Sequence, residues 1–216
     1  DEKVMLKVAI SYVSVEQARK NMLAELPGWD FEQVKQASFS EWNDWLGRIE
    51  VEGGSREQQI KLYTDLWHAL LGRHVVSDAD GHYMDMTSDF PRIRQIPLGE
   101  DGKPLYNHHN FDAWWGSHWS LNILWSMAYP EVMDNFCNTM TDMYQNGGLI
   151  PRGPSGGNYT YVMIGDPAVS FFASAYNKGI CNYDAELAYE GLRKNAFVGG
   201  IRDHAGYEHS NTAHSG

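Results

Sequence analysis

The stretch PEVMDNFCNTMTDMYQNGG, residues 130–148, carries the plainest structural signal in the sequence. Its apolar residues recur three and four positions apart, so they share one face of a helix: Val132, Met133, Phe136, Met140 and Met143. Pro130 suits the first helical turn, and Asn146-Gly147-Gly148 is typical of a helix end. The pattern predicts a long amphipathic helix that buries one face.

Further helix signals lie on both sides of this stretch. Ser14, Asp30 and Ser55 are each followed three residues later by Gln, the spacing of a capping box, and predict three earlier helix starts. Later helices are predicted over 117–129, from a cap at Asp166 with Pro167 behind it, and from Asp184 to about residue 197. Seven helices result, and the fold class is mainly α, in the manner of an α/α toroid.

The segments between the helices are of two kinds. Val4, Leu6, Val8, Ile10 and Tyr12 alternate with smaller or more polar neighbours, which predicts one half-buried strand. Residues 72–111 and 149–165 hold no period and are rich in Gly, Pro, Asp and His, so we expect long irregular loops there. Long ordered loops on a helical scaffold usually carry function.

Composition excludes several classes of protein. The 216 residues include 28 acidic and 17 basic side chains, a net charge of -11 that disfavours a nucleic-acid partner. No run of apolar residues is long enough for a membrane span. The chain begins DEKVMLKVAISY, without Met and without signal-peptide features, so we expect a processed or excised piece. Composition leaves the oligomeric state open.

The two cysteines and a search for common nucleophile motifs do not identify an active site. Cys137 and Cys181 have no metal or redox spacing, which favours two packed thiols over a disulfide. No G-x-S-x-G or phosphate-loop motif occurs. The number of carboxylates leaves acid–base chemistry open without identifying a pair.

The stretch NHHNFDAWWGSHW, residues 107–119, is the candidate functional segment. Sugar sites often combine a carboxylate, which accepts hydrogen bonds from hydroxyl groups, with an aromatic ring against the apolar face of a pyranose. Asp112, Trp114 and Trp115 fit that description and are the candidate substrate-binding residues. The alternative is that Asp112 caps the following helix and the two Trp side chains lie in the core.

Two metal interpretations are weaker than their structural alternatives. His108 and His109 are adjacent, so their side chains diverge, and local hydrogen bonding is the better interpretation than a transition-metal site. Asp78, Asp80 and Asp85 resemble part of a calcium loop but miss the EF-hand register, so a turn is favoured. No metal ligand is therefore predicted in this chain.

Whole phrases of the sequence resemble glycoside hydrolase family 92, the calcium-dependent exo-acting α-mannosidases. They are VAISYVSVEQARKNMLAEL (8–26), WDFEQVKQASFSEWNDWLGRIEV (29–51), LYTDLWHALL (62–71), DADGHYMDM (78–86), GGLIPRG (147–153) and MIGDPAVSFFASAYNKGI (163–180). Because they cover nearly the whole chain in order, they are more specific than any single motif.

The resemblance implies an architecture and an activity. Residues 1–13 would be the last strand of an N-terminal β-sandwich, 14–54 linker helices, and 55–216 the first part of an (α/α)6 barrel. The implied reaction is an inverting, calcium-dependent removal of terminal α-linked mannose from glycans, in which a carboxylic acid protonates the leaving oxygen and a carboxylate activates water. The implied location is periplasmic or secreted, in a bacterium.

Two departures from the family pattern matter. Where the family typically has W-D-T-F-R or W-D-T-Y-R, this chain has Phe111-Asp112-Ala113-Trp114-Trp115, so the sugar-binding aspartate carries over to Asp112 but the arginine does not. The general acid and base lie in E-G-N-x-x-Q-Y and G-N-D-D-x-G segments of the family, and neither string occurs here. We therefore expect an incomplete fragment that is inactive alone. Its catalytic residues are expected downstream of Gly216, and its calcium ligands outside this chain.

Two functions from other classes remain open at this stage. The aromatic loop would also suit a non-catalytic carbohydrate-binding module, and the helical scaffold would suit binding of a protein partner in its groove. Calorimetry with manno-oligosaccharides on the 216 residues separates the module, which binds, from the incomplete enzyme, which does not.

Overall fold

A computed structural model describes residues 4–72, 74–111, 114–161 and 165–203. The described residues form seven α-helices, confirming the mainly helical prediction: α1 (Val15–Glu25), α2 (Phe31–Leu46), α3 (Arg56–Leu71), α4 (Leu121–Ala128), α5 (Pro130–Gly147), α6 (Ala168–Asn177) and α7 (Ala185–Asn195). Tyr129 alone separates α4 from α5. The core lies between α4, α5, α6 and α7, with α3 against it.

Capping side chains begin the first three helices as predicted. The Ser14 hydroxyl accepts a hydrogen bond from the Gln17 amide, and Asp30 accepts one from the Gln33 amide. At Ser55 both halves of the capping box form with Gln58, whereas at Ser14 only one half forms. The reason is that the Gln17 side chain donates to Asp80, 63 positions away in the sequence, instead of to its own helix start.

The 18-residue helix α5 confirms the opening prediction. Pro130 occupies its first turn, and its apolar face is buried in the core. Gly148 ends it in the left-handed conformation (φ 86°), which glycine adopts without the steric cost that a Cβ imposes.

Three predicted helix boundaries were wrong. The segment 117–129 divides into a 3-10 turn, Ser117–Trp119, and the shorter helix α4. Asp166 does not cap α6; the residue before that helix is Pro167, because the Asp166 carboxyl is buried near Asn195 and Arg152. The last helix ends at Asn195, two residues early.

The predicted N-terminal strand is not formed within this chain. Residues 4–13 have no strand assignment, and the side chains of Val4, Leu6, Val8 and Ile10 are exposed. A strand needs hydrogen bonds from a neighbouring strand, and the described residues provide none here. The segment is held instead by a hydrogen bond that the Asn21 side chain donates to the Ile10 carbonyl oxygen.

The predicted irregular loop over 72–111 contains two small antiparallel sheets. Strand β1 (His74–Val75) pairs with β4 (His109–Asn110), and β2 (His82–Asp85) pairs with β3 (Arg92–Gln95). The buried Asp85 carboxylate on β2 forms ion pairs with Arg92 (2.9 Å) and Arg94 (3.3 Å). The β2–β3 hairpin is thus joined partly by charge rather than by an apolar face alone.

None of the described helices is both long and apolar enough to cross a membrane.

Candidate functional site

Two loops meet beside the start of α4 and form the candidate site. The 111–120 loop runs from β4 to α4, and the 148–167 loop runs from α5 to α6. The backbone N–H of Trp114 in the first donates to the carbonyl oxygen of Arg152 in the second, across 2.9 Å. A second bond runs from the Gly156 backbone N–H to the Asn110 side-chain oxygen, across 2.5 Å. The two segments that the sequence marked as functional are therefore hydrogen-bonded to each other.

The three predicted substrate-binding residues do not share one environment. Asp112 lies outside the described residues. Trp114 is 0% exposed, whereas Trp115 is 56% exposed. Adjacent side chains have therefore separated, one into the core and one to the surface.

The predicted position of the catalytic residues, downstream of Gly216, also lies outside the described residues, which end at Asp203. That expectation stays a prediction.

Trp114 anchors the 111–120 loop through an aromatic cluster. Its ring stacks on Phe111 (4.4 Å between centroids) and contacts Phe171 (4.2 Å), Phe136 (4.7 Å) and Trp125 (6.1 Å). Trp114 therefore lies in the core, as the alternative interpretation of the sequence stated. Its indole N–H has no hydrogen-bond partner in the described part of the chain.

Trp115 is one of three exposed aromatic side chains in this loop. The others are His118 and Trp119; Trp119 is 74% exposed and its ring lies 4.3 Å from that of His118. All three were visible in the sequence, but only the structure shows that they are exposed while Trp114 is buried. Exposed indoles offer a flat apolar surface at low entropic cost.

Arg152 fixes the 148–167 loop from inside. Its guanidinium donates to three backbone carbonyl oxygens, those of Gly165 (2.9 Å), Tyr161 (3.1 Å) and Ile201 (2.8 Å). The side chain is 1% exposed, and burial lowers its pKa. Sequence reasoning missed this residue, since an Arg inside a loop gives no sign that it will be buried.

Asp166 is a buried carboxyl group at the end of this loop. Burial raises its pKa to about 6, and the opposing influences of Asn195, Arg202 and Arg152 do not cancel that effect. It therefore changes charge near neutral pH, but it lies beneath the surface rather than on it.

The acidic turn at 78–85 is structural, as the sequence favoured. Asp78 accepts hydrogen bonds from Ser11 (2.9 Å) and Asn21 (2.7 Å), and Asp80 accepts from Gln17 (2.9 Å) and contacts the His82 ring (2.8 Å). No group of three or more His, Cys, Asp or Glu side chains is placed to hold a metal ion in the ranges that the structure describes. The described residues therefore do not fit a calcium site.

The expectation of local hydrogen bonds for the loop histidines fails at His108. Its ring is buried, stacks on Tyr83 at 4.1 Å, and has no hydrogen-bond partner at either nitrogen among the described residues. Burial and the neighbouring His109 lower its pKa to about 3. A ring held in this neutral state is a packing element.

Comparison with known proteins identifies the class. The family model "Glycosyl hydrolase family 92 catalytic domain" matches residues 17–215. The chain belongs to glycosyl hydrolase family 92. A curated relative, an uncharacterized secreted glycosidase of Arthroderma benhamiae, is 27% identical over 199 residues. That match covers 91% of this chain and 20% of the relative.

Solved structures show the same fold. A family 92 inverting mannosidase from Bacteroides thetaiotaomicron is 25% identical with a TM-score of 0.74, covering 86% of this chain and 24% of that one. A family 92 α-mannosidase from the same organism is 24% identical with a TM-score of 0.76, covering 92% and 24% respectively. The chain thus spans about a quarter of the length of these enzymes.

Proposed function

We propose that this protein is an exo-acting, inverting α-mannosidase, which removes terminal α-linked mannose from glycans. The observation that carries the proposal is the catalytic-domain match over residues 17–215. The likeness to an inverting mannosidase at a TM-score of 0.74 supports it. A periplasmic or secreted location is part of the proposal, supported by the secreted fungal relative.

Within the enzyme, this chain would supply the first part of an (α/α)6 barrel. The succession of α4 to α7 around one core, with short turns alternating with long loops, suits that architecture. Residues 1–13 would complete a β-sandwich and 14–54 would link it to the barrel. The exposed apolar side chains of residues 4–12 suit a strand whose partners lie elsewhere in the protein.

Asp112 and Trp115 would form the subsite for the terminal sugar. The Asp112 carboxylate would accept hydrogen bonds from sugar hydroxyls, and the Trp115 indole would lie against the apolar face of the ring. Trp114, the third candidate, would support them from below, since its ring is fully buried. With an indole where the family typically has arginine, this subsite lacks the forked donors of a guanidinium, which would alter the preferred sugar or linkage.

The general acid and general base would come from a part of the enzyme downstream of Gly216. In an inverting reaction the acid protonates the leaving oxygen and the base activates water, with their carboxyl groups ~6.5–9.5 Å apart. Calcium would likewise be bound outside this chain. The contribution of this chain is to hold the terminal sugar in place between those groups, through residues fixed on a rigid base.

The test is hydrolysis of α-linked mannosides by the full-length protein carrying Trp115→Ala. We expect at least a tenfold loss in kcat/KM, because one stacking surface against the sugar is removed. The matched control is Trp29→Ala, since Trp29 is 58% exposed, close to the 56% of Trp115, but lies between α1 and α2. Equal activities of the two variants would contradict the proposed role of Trp115.

A non-catalytic carbohydrate-binding module is the second candidate, favoured by the exposure of Trp115 and Trp119. Calorimetry of the 216-residue chain with manno-oligosaccharides distinguishes the two. Binding that Trp115→Ala abolishes would favour the module, and no binding would favour the incomplete enzyme.

A further inference from the structure

Asn110 connects strand β4 to a turn of the 148–167 loop. Its side-chain oxygen accepts a hydrogen bond from the backbone N–H of Gly156 across 2.5 Å. Gly156 lies in the 3-10 turn Ser155–Gly157 of that loop. The side chain of Asn110 therefore holds this turn beside the start of the 111–120 loop.

The backbone of Asn110 is itself fixed to the rest of the fold. It pairs with His74 of β1 in an antiparallel register. The preceding residue, His109, donates its backbone N–H to the Thr139 hydroxyl on α5 across 3.0 Å, and both of these residues are buried. Asn110 thus makes its bond to Gly156 from a well-anchored strand, which is the kind of support that keeps a geometry precise.

Glycine allows the turn to approach β2 closely. Gly156 and Gly157 have φ angles of 60° and 71°, a region that favours glycine. A Cβ at Gly157 would lie 2.9 Å from the Met84 carbonyl oxygen of β2. The Gly157 carbonyl oxygen also accepts a hydrogen bond from the Met86 backbone N–H across 3.2 Å. Asn110 therefore bonds to a turn that is already held in place.

Asp112 lies midway in the sequence between two bonds that join the loops. At one end, Asn110 accepts from Gly156. At the other end, Trp114 donates its backbone N–H to the Arg152 carbonyl oxygen across 2.9 Å. The two loops therefore meet in antiparallel order, and each has three residues between the two bonds. A segment this short has far fewer conformations when both of its ends are fixed than when one end is free.

We propose that Asn110 is a positioning residue of the enzyme, which acts by holding the segment that carries Asp112 against the 148–167 loop. The inference rests on the proposed function, in which the Asp112 carboxylate contacts the terminal sugar. Removing the Asn110 acceptor releases one end of the segment, so the geometry of sugar binding becomes less precise. Misplacement of a substrate-binding group by ~1 Å can lower a rate by about 100-fold.

The experiment measures kcat/KM for an α-linked mannoside with the full-length protein and its variants. Asn110→Ala removes the acceptor, and we expect kcat/KM to fall by about tenfold, less than the loss expected when the sugar contact itself is removed. Asn110→Asp keeps an accepting oxygen and should stay within about twofold of the parent. The control is Asn177→Ala, at an exposed asparagine that ends α6, and it should equal the parent.

Three further measurements separate positioning from a purely structural role. In an Asp112→Ala background, Asn110→Ala should cause less than about a twofold further loss, because it acts through Asp112. Hydrogen exchange over residues 153–158, followed by mass spectrometry, should be faster in Asn110→Ala than in the parent or Asn110→Asp, since the Gly156 amide loses its acceptor. The melting temperatures of both Asn110 variants should stay within roughly 4 °C of the parent.

Several results would overturn the inference. They are an active parent that Asn110→Ala leaves unimpaired, an Asn110→Asp variant as impaired as Asn110→Ala, and a full tenfold loss in the Asp112→Ala background. Unchanged hydrogen exchange in Asn110→Ala, or a larger fall in its melting temperature, would also overturn it, because the bond would then be absent or would support the fold as a whole. A parent without α-mannosidase activity would contradict the proposed function, and the positioning role would fall with it.

Discussion

The backbone N–H of Trp114 donates to the carbonyl oxygen of Arg152 across 2.9 Å, at a point where both side chains are buried. Trp114 is held by aromatic rings from three helices, and Arg152 is held by three carbonyl oxygens. The two loops of the candidate site are therefore joined through two buried residues that each have several contacts. Rigid support of this kind is what keeps a binding geometry precise.

Replacement of Arg152 by methionine should destabilise the protein by about 3 kcal/mol or more. The change leaves one buried and two partly buried carbonyl oxygens without their charged donor, and each such loss costs ~1–3 kcal/mol. Urea unfolding followed by fluorescence measures it. Arg19→Met, at an exposed arginine on α1, is the control and should change stability by less than about 1 kcal/mol. Equal effects would mean that the three bonds are not formed.

Replacing each of the two adjacent tryptophans by alanine should have different effects on the free energy of unfolding. Trp114→Ala removes a completely buried ring from the aromatic cluster and should lower the unfolding free energy by about 3–5 kcal/mol. Trp115→Ala, at an exposed position, should change it by less than about 1 kcal/mol. Thermal denaturation of both variants tests this, and a larger loss for Trp115→Ala would show that the two positions are reversed.

Asp142 should make the protein less stable as the pH rises. Burial raises its pKa to about 6, although a hydrogen bond from Tyr106 (2.6 Å) lowers it, and the nearby Asp85 adds to the rise. The folded state thus holds a proton that the unfolded chain releases near pH 4. The stabilisation is complete below about pH 4 and is lost as the pH rises through about 6.

Asp142→Asn tests that sign. The variant cannot ionise, so it should be more stable than the parent at pH 7.5, and the difference should fall as the pH approaches 4. Urea midpoints measured across this range provide the comparison. A difference that stays constant with pH would show that Asp142 titrates normally.

His108 should make the protein less stable as the pH falls. Burial lowers its pKa to about 3, so the folded state excludes a proton that the unfolded chain takes up below about pH 6.5. Its influence on stability is absent above that pH and becomes unfavourable as the pH falls toward 3. His108→Phe, which keeps the stack on Tyr83, should therefore be more resistant to acid unfolding than the parent. Identical acid midpoints would contradict this.

The helix starts could be predicted from the sequence because they depend on hydrogen bonds between residues that are close in the sequence. Ser14, Asp30 and Ser55 each accept the hydrogen bond from the helix start that their spacing predicted, and Asp184 accepts one at the last predicted helix start. Boundaries that depend on tertiary contacts were not readable. The Asp166 carboxyl, for example, is buried near Arg152 and does not cap the start of α6.

The β2–β3 hairpin escaped prediction for a related reason. Its buried positions are Tyr83 and Asp85, so the alternation that marks a strand is half charged, and Asp85 is buried only because Arg92 and Arg94 approach it from β3. The sequence likewise presented Trp114 and Trp115 as one pair. Only packing against Phe111 and Phe171 shows which of them is in the core.

The most direct test follows the anomeric proton of the released sugar by NMR while the full-length protein hydrolyses an α-linked mannoside. We expect β-mannose to appear first and Asp112→Ala to lower the rate by at least about 100-fold. The melting temperature of that variant should stay nearly unchanged. Release of α-mannose first, no hydrolysis by the folded enzyme, or an Asp112→Ala variant that fails to fold would contradict these expectations.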